Sequence, residues 1–175
     1  MSRRARTRMH HPRRAAVNSV QIAINNARKL PPEDVARQGQ IVQQAVDEFC
    51  KGEHCAAHWR SLADTANMAE TLASMGLGAG ADADRVITAA QQTLHDVHQR
   101  HATRGTWTLY ADEIDSLHWL AQLHHVQMAA CSYGEFAEAF TTTANRLQQA
   151  RAGNASPHAI VVVGDLATFE EARPS

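Results

Sequence analysis

The chain has 175 residues, of which 44% are apolar and 20% charged, with a formal net charge of -1. That length suits one domain with its own core, the composition excludes a disordered chain, and no apolar run approaches the ~18 residues a membrane-spanning helix needs. The near-zero charge hides a split, because Arg3, Arg4, Arg6, Arg8, Arg13 and Arg14 sit among residues 1–16 with no acid, leaving 11 basic against 18 acidic residues, or -7, beyond them.

Residues 1–16 therefore read as a basic flexible arm, residues 17–153 as a helical domain and residues 154–175 as a C-terminal tail. A first short helix is expected from Val17, with Val20, Ile24 and Ala27 at helical spacing and a stop at Leu30 before Pro31 and Pro32. Pro32 then opens a second helix, with Glu33 and Asp34 where the helix dipole favours acids and Gly52 just past its end. Its buried face is predicted to be Ile41, Val42, Ala45, Val46 and Phe49, with Gly39 a weak point in the middle. A third helix over residues 55–75 carries Trp59, Leu62, Ala66, Ala69 and Ala73 in one stripe, whose small residues let a neighbour approach closely.

The glycine-rich stretch Gly76-Leu77-Gly78-Ala79-Gly80 ends that helix, and Asp82 or Asp84 is expected to cap the fourth, which presents Val86, Ile87, Ala90, Leu94 and Val97 as far as about residue 102. Gly105 breaks the pattern. The run Thr106-Trp107-Thr108-Leu109-Tyr110 is rich in β-branched and aromatic residues but too short for a sheet, so it reads as an extended connection that plugs Trp107 or Leu109 into the body. A fifth helix from Ala111 stacks Ile114, Leu117, Ala121, His124 and Met128, with Leu120, Leu123 and Val126 widening the apolar face. A sixth, over residues 133–152, uses Phe136, Phe140, Ala144 and Leu147 and closes at Gly153. Beyond it, His158-Ala159-Ile160-Val161-Val162-Val163 has strand composition, suited to docking on the bundle or pairing with another molecule. The fold expected is all-α, a single antiparallel bundle of about six helices.

Three cysteines, Cys50, Cys55 and Cys131, are too few and too unevenly placed for a disulfide framework, and an odd count fits a reducing compartment. No apolar segment follows the arginines as it would in a secretion signal, so the cytoplasm is the expected location and no membrane contact is expected. An arginine-rich, acid-free start also suits an organelle transit peptide, but this one is poor in serine and has no clear apolar face.

Histidine is abundant, with 11 copies. Cys50, His54, Cys55 and His58 lie where the second helix turns into the third, and thiolates with imidazoles suit zinc. Neither cysteine belongs to a C-x-x-C pair, so the plainer reading is two cysteines near the core with two surface histidines, and no metal or other cofactor is expected. His95, His98 and His101 are three apart, so each step turns by about 60° and the outer two diverge by about 120°, which permits two ligands together but hardly three. His124 lies on an apolar stripe, where a hydrogen-bonded core histidine is the common case. The glycine-rich stretch lacks the following lysine and preceding strand of a phosphate loop, and neither a nucleophile elbow nor a metalloprotease helix motif is present.

The segment Trp59-Arg60-Ser61-Leu62-Ala63-Asp64-Thr65-Ala66-Asn67-Met68-Ala69-Glu70 resembles one found in short, uncharacterised proteins of proteobacterial prophages and plasmids. Gly105-Thr106-Trp107-Thr108-Leu109 followed by Glu113-Ile114 is similar to a second segment of that group, in the same order, so the resemblance covers about residues 50–151. It implies a mobile-element context and a bacterial cytoplasm, and no activity. The functional expectation is a non-enzymatic accessory or regulatory protein whose arm contacts DNA or RNA phosphates. The alternative is a module that binds a basic protein partner through its acidic helical surface and so inhibits or adapts a host or phage complex; the bundle is also a candidate homodimer surface.

Overall fold

The computed structural model describes residues 19–53, 55–78 and 80–153. The arm and the tail after Gly153 lie outside the described residues. Within them the chain is all-α, with α1 Ser19–Ala27, α2 Pro32–Cys50, α3 Cys55–Ser74, α4 Ala81–Arg104, α5 Ala111–Ala130 and α6 Tyr133–Arg151.

Local chemistry sets most of these boundaries. Pro32 occupies the first turn of α2 with Glu33 and Asp34, where its missing N–H leaves nothing unpaired. Gly105 ends α4 in the left-handed conformation at φ 69° and donates its N–H to the His101 carbonyl at 2.8 Å, a position that favours glycine. Asp82 and Asp84 do not cap α4; Gly80 sits at the cap position and both acids fall in the first turn, where they act on the helix dipole instead. α6 begins with a reciprocal capping box, in which Ser132 N–H donates to Glu135 Oε2 at 2.7 Å and Glu135 N–H donates to Ser132 Oγ at 3.3 Å. α1 stops at Ala27, short of Leu30, because residues 28–30 pair with the start of α6. Tyr133 N–H donates to the Arg28 carbonyl and Leu30 N–H to the Cys131 carbonyl.

Helices α2 to α5 form an antiparallel four-helix body, each packed on its chain neighbour, with α2 also against α5 and α3 also against α5. Its core joins Val42, Val46 and Phe49 of α2, Trp59, Leu62 and Ala66 of α3, Ile87, Leu94 and Val97 of α4, and Leu117 and Leu120 of α5. The alanines of α3 and Gly39 of α2 permit the close approach. A Cβ on Gly39 would meet Nδ1 of the exposed His125 side chain of α5 at 2.7 Å, a contact that rotation of that ring relieves, so glycine here lets the His125 ring lie against α2. The Thr106 to Tyr110 connection is extended, and both Trp107 and Leu109 pack against the core.

α6 lies outside this body on α3, and α1 lies on α6. Met68, Leu72, Cys131 and Ala139 form a second, smaller apolar cluster there. Three predicted faces are corrected. Ile41 is 48% exposed, because the α2 stripe centres on Val35, Val42 and Val46 and Ile41 points about 100° away from Val42. Val126 is 59% exposed, since α2, α3 and α4 cover only the other side of α5. On α6 the buried residues are Ala139 and Thr143, leaving Phe140 63% exposed and Ala144 exposed. α6 has a helix to meet on one side alone, so its contact stripe is narrow and runs one residue off the aromatic one.

Candidate functional site

Arg3, Arg4, Arg6, Arg8, Arg13 and Arg14 lie outside the described residues. Several basic side chains of the body are taken up internally. Arg100 makes a two-pronged pair with Glu113, at 2.6 and 3.2 Å. It also donates to the Thr108 carbonyl and lies 4.4 Å from the Tyr110 ring centre, and the Glu113 carboxylate raises its pKa further above the ordinary arginine value. Arg146 donates to Glu70 at 2.9 Å. Arg37 and Arg85 pair with Asp34 and Asp82 one turn away.

The cysteine and histidine grouping sits at the α2 to α3 turn. Cys50 is exposed and Cys55 half-buried. Burial pushes both thiols up, helped at Cys50 by the nearby Asp47 charge, so both are protonated at neutral pH rather than poised as ligands or nucleophiles. His58 Nε2 lies 2.8 Å from Glu48 Oε2. His54 lies outside the described residues, and among the described residues no group of three or more His, Cys, Asp and Glu side chains is placed to hold a metal.

Of the α4 histidines, His98 and His101 turn instead to an aromatic cluster at this end of the body, whereas His95 is exposed and shares a 3.2 Å contact with Gln99. The His98 ring lies 4.9 Å from that of Trp59, and His101 stacks on Trp107 at 4.0 Å with 17° between planes. Trp59 also donates its indole N–H to the Leu94 carbonyl at 2.8 Å. Burial lowers the pKa of both histidines, with the neighbouring imidazoles adding to the effect at His98. The α5 histidines face elsewhere: His118 shares a 3.2 Å contact with Gln43 of α2. His124 is buried with Nδ1 unpartnered, and burial, then the His125 charge, lowers its pKa to about 4. It is a neutral core histidine whose Nδ1 lacks a hydrogen-bond partner among the described residues.

A cleft of about 370 Å³ opens between Phe49, Cys50, Lys51, Cys55, Trp107 and Leu109. The cysteine pair and the aromatic connection thus meet in one place. Among the described residues its lining consists of apolar walls, two thiols and an ammonium.

Two features escaped the sequence reading. One is a polar seam along α3, in which Thr143 of α6 donates to Thr71 at 2.8 Å and Gln91 of α4 donates to Glu70 at 3.2 Å beside Arg146 of α6. Polar residues inside otherwise buried stripes, Thr71 and Gln91, were its only trace. The other is an exposed apolar ridge on α5, carrying Trp119 at 58% and Val126 at 59% exposure.

Comparison of the chain with protein-family models, with curated proteins and with solved structures finds no match. No helix among the described residues is long and apolar enough to cross a membrane.

Proposed function

We propose that this chain is a non-enzymatic, nucleic-acid-associated accessory or regulatory protein of a mobile element, acting in the bacterial cytoplasm, with Arg3, Arg4, Arg6, Arg8, Arg13 and Arg14 as its phosphate-contacting group. The observation that carries the reading is the charge division: six arginines without an acid in residues 1–16, against described residues that hold 10 basic and 15 acidic side chains, or -5. Arg100 and Arg146 of the body are held by carboxylates, which makes the arm the better cation for an external polyanion. No Phe, Tyr or Trp interleaves the arginines, and His10 and His11 are the only aromatic rings among them, so the arginine contact is to the backbone.

An electrophoretic binding assay on the full chain and on a variant lacking residues 1–14 tests this at two salt concentrations. The full chain shifts duplex DNA or RNA at low salt. With about six phosphates neutralised, log K falls with log salt at a slope near -5, and the deletion abolishes the shift. Equal affinity with and without the arm rejects the proposal.

The acid excess of the body favours a second reading, a module that binds a basic protein partner through that surface. Association that survives arm deletion and fails on charge reversal of exposed acids such as Asp84 and Glu138 selects it.

A further inference from the structure

The ridge on α5 has a shape of its own. Asp115, Trp119, Gln122 and Val126 are all exposed and follow one another at spacings of four, three and four, so they line one side of the helix. α2 and α4 flank that side. A groove of about 530 Å³ lies along α2, bordered by Gly39, Gln43, Gln122 and Val126. One of about 490 Å³ lies along α4, bordered by Arg85, Val86, Ser116 and Trp119. Charge is unequal along the ridge. Its N-terminal end carries Asp112 and Asp115, and at its C-terminal end the exposed Lys29 ammonium donates to the Ala130 carbonyl, with the nearby Glu135 carboxylate engaged by Ser132.

We infer that this ridge is a self-association face, on which α5 of a second copy of this chain packs antiparallel about a two-fold axis passing close to Gln122. The spacing makes the face complementary to itself. With the axis there, Trp119 lies over Val126 of the partner subunit, and Val126 under the partner's Trp119. The same operation sets Asp115 opposite Ala130 of the partner subunit, where the partner's Lys29 supplies the opposite charge. Each contact occurs twice. A parallel arrangement would instead stack the acidic ends on one another and leave the basic ends together. One helix with its flanking grooves is a small interface, so the dimer forms in the micromolar range. The inference does not depend on what the arm binds.

Sedimentation equilibrium of the full chain from about 1 to about 200 µM tests it, that range bracketing a micromolar dissociation constant. A reversible monomer–dimer equilibrium is expected. Trp119→Asp, at a solvent-facing position, weakens it at least tenfold with unchanged helical circular dichroism. Asp115→Lys and Lys29→Asp each weaken self-association, because each puts like charges together twice. An equimolar mixture of these two variants recovers dimerisation, since the heterodimer then carries one ion pair in its original order and one reversed. Should Lys29→Asp fail to fold, the Trp119 and Asp115 variants still decide. A chain that stays monomeric over the whole range overturns the inference. So does a dimer indifferent to Trp119→Asp, a charge-reversed mixture without recovery, or a monomer that associates only once residues 154–175 are removed, which would make the tail the occupant of the ridge.

Discussion

Between α2, α3, α4 and α5 the enclosed side chains are mostly apolar, with Trp59, Leu62, Leu94, Leu117 and Leu120 at 1% exposure or less, whereas α6 buries only Ala139 and Thr143 and meets α3 partly through a polar seam. Each enclosed Leu or Phe of the body contributes roughly 1.5–3 kcal/mol. The Arg146–Glu70 pair in the seam is about 29% exposed on both partners, and such a pair contributes between about 0 and 1 kcal/mol. Asn67, 3% exposed beside that seam, has neither side-chain polar atom paired, which costs on the order of 1–3 kcal/mol. The weaker seam is therefore where the molecule opens. α6, with α1 resting on it, is the element whose release costs least, and hydrogen exchange should show it opening at lower free energy than α3.

The largest test of this contrast is Trp59→Ala. The indole packs at 1% exposure beside Trp107 and His98 and donates to the Leu94 carbonyl, so truncation leaves a cavity and an unpaired carbonyl lone pair. A loss of about 3–5 kcal/mol is expected, read by denaturant titration. A loss under about 2 kcal/mol would mean that this end of the body is not close-packed and would erase the distinction from α6.

The two regions also respond to different pH windows. His124 on α5 is neutral in the folded body, with a pKa lowered to about 4 from an ordinary 6.5. The unfolded chain therefore binds its proton first, and the associated stability is fully present above pH 6.5 and is lost as pH falls toward 4, by up to about 3 kcal/mol. His124→Leu should flatten that slope in thermal melts between those limits. Glu135 at the start of α6 has its pKa lowered by hydrogen bonds from Ser132. Its stabilisation is present above the ordinary carboxylate range and is lost only as pH falls through and below it. Acid should thus weaken the core before it frays the α6 cap; the reverse order in pH-resolved exchange would place the titrating group elsewhere.

The body was more legible in the sequence than its surroundings, and the reason lies in the number of neighbours. α3 is covered from several sides, so Trp59, Leu62, Ala66 and Ala69 could be assigned to the core from periodicity alone. Trp107 and Leu109 were legible as plugs because β-branched and aromatic residues outside a helix have few other uses. α5 and α6 each have an open side, and a hydrophobic residue there follows the same periodicity as one in the core. Val126 and Phe140 were misplaced for that reason. Cys50, Cys55 and His58 could be brought to one turn by reading the chain, but the Glu48 carboxylate beside His58 depends on side-chain directions that spacing does not give. The arginine arm is a compositional signal, which carries charge and no geometry.

Asn67→Leu sharpens the contrast with a smaller, opposite effect. Leucine keeps the branching of asparagine and removes two unpaired polar atoms in a gap between α3 and α6 lined by Thr143, Arg146 and Leu147. A gain of about 1 kcal/mol is expected, together with slower exchange of α6 amides. A loss would show that Asn67 is paired through ordered water when α6 is docked.

Phe140→Ser should change least. Phe140 sits one residue past the buried Ala139, and a step of about 100° carries its ring off the α3 contact and into solvent at 63% exposure. Losing an exposed aromatic removes little buried area, so stability should stay within about 0.5 kcal/mol. Ala139→Phe, its neighbour in sequence, should by contrast lift α6 from α3, because Ala139 is fully buried against Met68, Leu72 and Cys131. If the two variants behave alike, α6 does not present the Ala139–Thr143 edge to α3 in solution, and its stripe must be rotated toward the aromatic one.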